Sequence, residues 1–300
     1  MKKISEAIKP LSHHASFESL KEKILSDPEV QEFVLKNQLS TSEVSKSLPK
    51  FNQFISERDK FLAQDINYLT KGYQPILKMN EGYADVFYLE TKALVEARKQ
   101  QEIRNRVSLI GLPNDLKSIK SSDIDLEDSN RIQLFEEINA YIKDFERKKS
   151  KGLYVFGNFG VGKSYLMGYL ANRLSDRYQK QTLILHFPTF ALDIKDAIQS
   201  NTVKEEVDKI KKSEILIFDD IGAEQSNAWI RDDILQVILQ YRMQEQLLTF
   251  FTSNFDLEGL EKHFSNTKSG DEVWQAKRVM ERITYLAKSL HLEGSNRRHH

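Results

Sequence analysis

One stretch of eight residues constrains this chain more than any other: Gly157-Asn158-Phe159-Gly160-Val161-Gly162-Lys163-Ser164. It fits the pattern G-x-x-x-x-G-K-[ST], and its surroundings are the ones that pattern needs. The apolar run 152–156 leads in, and Tyr165, Leu166, Tyr169, Leu170 and Leu174 follow at helical spacing. Glycines here let backbone N–H groups curl around an anion, at a helix N-terminus whose dipole favours negative charge. Lys163 offers a cation to β- and γ-phosphate oxygens, and Ser164 a hydroxyl to Mg²⁺. The expected ligands are therefore ATP and Mg²⁺.

The rest of the second half fits the same architecture. Further apolar runs at 182–187, 214–220 and 247–254 are separated by helical segments, the mark of a buried parallel sheet flanked by helices in an α/β domain. IGLP at 110–113 reads as a strand or turn. Residues 129–148 read as an amphipathic helix with Ile132, Phe135, Ile138, Tyr141, Ile142 and Phe145 on one face. The run 215–218 ends in Asp219 and Asp220, a Walker B arrangement in which a buried strand delivers an acid to the metal. Asp219 is assigned to the metal shell and Asp220 to the general base that orients water. Asp220 is one methylene shorter than a glutamate, so turnover is expected to be slow. Glu224 could substitute for Asp220 as the base, with an ordinary loop acid as the alternative. FFTSN at 250–254 ends in polar groups, of which Ser253 or Asn254 could face the γ-phosphate. RVMERITYLAKSL places Arg278 and Arg282 on one helix face, and Arg297 and Arg298 follow.

The first hundred residues have a different texture. Asp27-Pro28 is an N-cap with proline at the first helical position, and Ser40–Glu43 fits a capping box. The helix opened there is expected to stop before Pro49. A further helix carries Phe51, Phe54, Ile55, Phe61 and Leu62. A hairpin is expected over 73–89, turning at Asn80-Glu81-Gly82, and the polar stretch 91–106 reads as a helical connector. Two domains follow, 1–105 and 106–300, the first smaller and mainly helical. Lys+Arg and Asp+Glu both number 44, which argues against one large basic face gripping nucleic acid. There are no cysteines, so disulfides and thiolate zinc sites are excluded. No run approaches the roughly 20 apolar residues of a membrane span, and the basic start lacks a signal-peptide core, so a cytoplasmic protein is expected.

GNFGVGKS, ILIFDDIGAEQSNAWIRDDIL, FFTSNFDLEGL and RVMERI…GSNRR, in that order, resemble the DnaI-type helicase loaders of the AAA+ clade that includes DnaC and the transposition ATPase IstB. The resemblance covers residues 107–298. It implies an AAA+ P-loop domain without an extended lid, with Asn254 as sensor 1, Arg282 as the arginine finger reaching a neighbour's ATP, and Arg297 as sensor 2. It also implies delivery of the replicative hexameric helicase onto single-stranded DNA. The N-terminal domain would hold the helicase, the ATPase domain would bind single-stranded DNA, and copies would self-associate on the helicase. Well-known members carry a cysteine zinc site in the N-terminal domain. Here no cysteine exists, adjacent His13 and His14 are poor ligand geometry, and zinc is expected to be absent. Tyr68, Tyr73, Tyr83, Phe87 and Tyr88 are then the candidate core around the hairpin.

Three other readings compete. An IstB-like helper would act on DNA directly; a DnaA-type initiator would need a lid and a DNA-binding domain beyond sensor 2. A nucleotide-gated adaptor would bind ATP with incidental hydrolysis, a reading to which the short Asp220 lends force. Segments 28–38 and 41–48 could also be drawn as a helix-turn-helix, though the second is short and almost uncharged. Phe190, beside Lys195 in 187–195, is a candidate for stacking a DNA base, with core packing as the alternative.

Overall fold

The computed structural model describes residues 13–126, 129–146, 151–267, 270–294 and 296. The chain divides into two compact units, Met1–Lys99 and Gln100–His300. No helix among the described residues is long and apolar enough to cross a membrane.

The first unit holds α1 (His13–Leu25), α2 (Pro28–Lys36), α3 (Thr41–Leu62) and a hairpin of β1 (Tyr73–Asn80) and β2 (Tyr83–Glu90), leading into α4 (Lys92–Asn105), within which the two units divide. Asp27 caps α2 through the amides of Glu29 and Val30, and Ser40 with Glu43 forms the capping box of α3. Contrary to expectation, α3 does not stop before Pro49 but runs through it for 22 residues. Leu48, Phe51 and Phe54 share one buried face across the proline. Burying a side chain of that size contributes about 1.5–3 kcal/mol. Three of them exceed the ~3 kcal/mol an internal proline costs. The helix-turn-helix drawing loses its short second helix. Ser47 Oγ donates to the Glu43 carbonyl and accepts from the buried amide of Ala84, tying α3 to the hairpin.

The hairpin turns on Glu81 and Gly82, both with positive φ, as a two-residue type I′ turn requires. Its candidate aromatic core is corrected. Tyr68 is buried, Tyr73 and Tyr83 are half-buried, and Phe87 and Tyr88 are exposed. Strand side chains alternate, and α3 covers only the face carrying Ala84 and Val86, so Phe87 falls on the other face. The side chains of His13 and His14 lie outside the described residues. Among those described, no group of three His, Cys, Asp or Glu could hold a metal.

The second unit is a six-stranded, all-parallel sheet built from β3 (Val107–Ile110), β4 (Gly152–Phe156), β5 (Thr182–His186), β6 (Ile215–Asp219), β7 (Leu248–Ser253) and β10 (Ala287–His291). The spatial order is β10-β4-β7-β6-β5-β3. Short β8 (Asn266–Thr267) and β9 (Gly270–Asp271) pair apart from it. On one face lie α5 (Ser129–Asp144) and α6 (Lys163–Tyr178), which bury Leu166, Leu170 and Leu174 completely. On the other lie α7 (Phe187–Gln199), α8 (Val203–Lys211), α9 (Gln236–Gln244), α10 (Leu257–Ser265) and α11 (Val273–Leu286). Strands covered on both faces explain why four of them read as unbroken apolar runs.

The fold departs from expectation at three places in this unit. The segment read as one helix through 290 ends at Leu286, and AKSLH continues as edge strand β10 in register with β4. Along α5 and just past its end, Phe135, Ile138, Tyr141, Ile142 and Phe145 pack on the core as expected, but Ile132 is exposed and Leu134 is buried in addition. Phe187 and Phe190 open α7 and are buried in the core, their rings 6.2 Å apart, so Phe190 has no face free to stack a base.

Candidate active site

The strand order brings the functional residues together at the C-terminal ends of neighbouring strands. β4 ends in the glycine loop, β7 pairs beside it and ends before Asn254, and β6 follows and ends in Asp219. This is where ligands bind in open α/β sheets, at the crevice outside the carboxyl ends.

In the loop, Gly157, Gly160 and Gly162 have φ of 154°, 77° and 93°, so the backbone bends through the left-handed region before α6 begins at Lys163. Lys163 is buried, and its Nζ donates to the carbonyls of Gly157 and Asn158, each at 2.8 Å, and to Asn254 Oδ1 at 2.7 Å. Asn254 Nδ2 in turn donates to Asp220 Oδ1 at 2.7 Å. One amide therefore holds the loop cation and the second acid of the strand end together.

A threonine does the same for the acid pair. Thr252 Oγ1 accepts from the Asp220 amide at 2.8 Å and donates to Asp219 Oδ1 at 2.7 Å. Asp219 is 2% exposed, whereas Asp220 is half-buried with φ of 58°. Burial, then the charge of Asp219, pushes the Asp220 carboxyl above its ordinary range, against the pull of Lys163, His186 and the Asn254 donor. A cavity of about 500 Å³ opens over these groups, lined by Lys163, Ser164, Asp219, Asp220 and Asn254, with His186 and Arg131 also in its wall.

The two candidates at the end of β7 are resolved. Ser253 Oγ donates to the Ile221 carbonyl and accepts from the Phe255 amide, while Asn254 enters the site. Glu224 faces elsewhere, accepting from the Gly222 amide and pairing with His263 at 3.2 Å. In the loop itself Val161 is buried and Phe159 is exposed. Arg278 and Arg282 do not line the cavity: Arg282 Nε donates to Gln240 Oε1 at 2.8 Å and its Nη1 to the Arg278 carbonyl. Arg297 and Arg298 lie outside the described residues. Sequence reasoning missed Thr252, His186 and Arg131. Thr252 stands inside the FFTSN string, but its role comes from β7 lying beside β6, which no local pattern reveals.

A glycine loop, a buried ammonium at a helix N-terminus and two carboxylates facing them suit a nucleotide's phosphates and a divalent cation. Fold and site define a P-loop ATPase domain of the AAA+ class, and the family model for the bacterial DnaA ATPase domain matches residues 128–267. The model for the N-terminus of primosomal protein DnaI matches residues 1–88. The replicative helicase loader DnaI of Bacillus subtilis (strain 168) is 34% identical over 290 residues, 94% of this chain and 93% of that protein. This chain belongs to the DnaI family of helicase loaders. Among solved structures, a chain assigned to the primosome of Streptococcus pyogenes serotype M3 is 46% identical with a TM-score of 0.57, covering 67% of this chain and all of that one. A DnaI crystal structure is 38% identical with a TM-score of 0.56, over 66% of this chain and all of its own.

Proposed function

We propose that this protein is an ATP-dependent loader that delivers the replicative hexameric helicase onto single-stranded DNA during initiation and restart of replication. The observation that carries the ATP-dependent part is the continuous link Lys163–Asn254–Asp220, which joins the phosphate-binding cation to the acid that orients water. The likeness to a helicase loader over nearly the whole chain supports the client.

In this reading the amides of 157–164 and Lys163 hold the phosphates, while Ser164 and Asp219 hold Mg²⁺. The metal, when bound, neutralises charge developing on the transferred phosphoryl group. Asp219 is aimed by the Thr252 hydroxyl. Asp220 accepts the proton of the attacking water, and Asn254 fixes its carboxylate. Arg282 does not line its own cavity, which suits a finger that serves a neighbouring copy on the helicase, and Arg297 takes the sensor-2 role. Such fingers contribute about 10³–10⁵ in rate, so an isolated copy turns over slowly. Residues 1–105 form the helicase-binding domain, folded without zinc, and residues 106–300 carry ATP and single-stranded DNA.

The test is capture of the cell's hexameric helicase by the full-length chain, with and without nucleotide. A stable complex is expected. Failure to capture helicase, together with direct binding to duplex DNA, would favour the IstB-like helper.

A further inference from the structure

Arg131, in the first turn of α5, belongs to no motif, yet it lies against the phosphate loop. The residue is 4% exposed. Its Nη1 donates to the Val161 carbonyl at 2.5 Å. A Cβ placed on Gly162 would stand 2.7 Å from Nη1 and 3.1 Å from Nη2, so the Nη1–Nη2 edge of the guanidinium fills the space beside the last glycine of the loop. Gly162 also has φ of 93° and caps α6 directly before Lys163. The same arginine lines the cavity that holds Lys163, Ser164 and the two acids.

The geometry points to Arg131 as a positioning residue of the nucleotide site, a clamp that sets the aim of the phosphate loop through the Val161 carbonyl. The inference rests on the nucleotide-binding reading and deepens it. In a trans peptide the C=O and the following N–H point in opposite directions. Holding the Val161 carbonyl against α5 therefore turns the Gly162 N–H away from Arg131, at the helix end where orphan amides meet a phosphate. The requirement is specific for arginine. The two terminal nitrogens of a guanidinium form a rigid edge that lies beside the glycine while one of them donates to the carbonyl, and a lysine ammonium offers a single point in place of that edge. It also gives Gly162 a second reason to lack a side chain, beside its left-handed backbone.

The test uses the full-length protein, a fluorescent ADP analogue to read Kd, and the thermal midpoint with and without nucleotide. Arg131→Ala and Arg131→Lys are each expected to weaken nucleotide binding by about 10-fold or more, the loss of one hydrogen bond from a charged donor. The nucleotide-dependent rise in midpoint should shrink in parallel. Should Arg131→Ala not fold, Arg131→Lys decides, because it keeps the charge and the aliphatic stem. Affinities within twofold of wild type in the folded variants would overturn the clamp. So would a lowered nucleotide-free midpoint with the nucleotide-dependent rise intact, the signature of a merely structural arginine. Lys163→Ala is the control: if wild type binds the analogue no better than that variant, the nucleotide reading itself falls, and the clamp with it.

Discussion

Replacing Asn254 with alanine severs the connection between the loop cation and the second acid. The side chain makes two charge-assisted bonds of 2.7 Å, accepting from Lys163 Nζ and donating to Asp220 Oδ1. A hydrogen bond to a charged group contributes about 1.5–3 kcal/mol. Asn254 and Asp220 are only half-buried, so water replaces part of each bond, and the lower end of the range applies. Two bonds at that end amount to about 3 kcal/mol, or roughly 10²-fold in rate if both are needed to aim the reacting groups. Ground-state binding should change far less. Lys163 keeps its bonds to the Gly157 and Asn158 carbonyls, and neither the loop amides nor the start of α6 depends on Asn254. The assay is single-turnover ATP hydrolysis beside a fluorescence titration of nucleotide. A fall of about 10² in rate with a Kd change below about fivefold is expected. A rate within threefold of wild type, or a Kd loss as large as the rate loss, would refute the reasoning.

Asp27 accepts two bonds from Arg58, at 2.9 and 2.8 Å, and these hold its carboxyl below its ordinary pKa. Stability from a depressed carboxylate is present above the unfolded pKa of about 3.9 and is lost as pH falls through the folded value. Asp27→Asn keeps a good cap and should cost about 1.5–3 kcal/mol at pH 7, and less at pH 3; equal costs in urea unfolding at both pH values would contradict this. Phe190→Ala should destabilise the second unit by about 3–5 kcal/mol, as loss of a buried phenylalanine does, and a thermal midpoint unchanged from wild type would overturn its core placement. For the finger, an Arg282→Ala chain mixed with a Lys163→Ala chain on the helicase should hydrolyse ATP faster than the two measured apart. A rate no greater than their sum would place Arg282 outside the neighbour's site.

Local pattern carried the phosphate loop, the acid strand end and four central strands, because strands buried on both faces leave long apolar runs. It failed where tertiary contact overrides local preference. Pro49 forbids a helix on its own terms, but Leu48, Phe51 and Phe54 pack as one face and carry α3 through it. AKSLH looks like more helix, yet pairing with β4 makes it an edge strand. Arg131 and Thr252 carry no local signal of their part in the site, since each meets its partner only when distant segments fold together. The charge balance, with 44 residues of each sign, suits a protein that approaches DNA through a partner ring.

The most direct test of the account is helicase loading onto protein-coated single-stranded DNA, followed by unwinding of an annealed strand, with wild type, Lys163→Ala and Asp220→Asn chains compared. Wild type with ATP should load, Lys163→Ala should not, and Asp220→Asn should stall after binding. Loading by Lys163→Ala equal to wild type would contradict an ATP-dependent loader. Loading by Asp220→Asn with hydrolysis abolished would leave nucleotide as a gate and the protein as an adaptor.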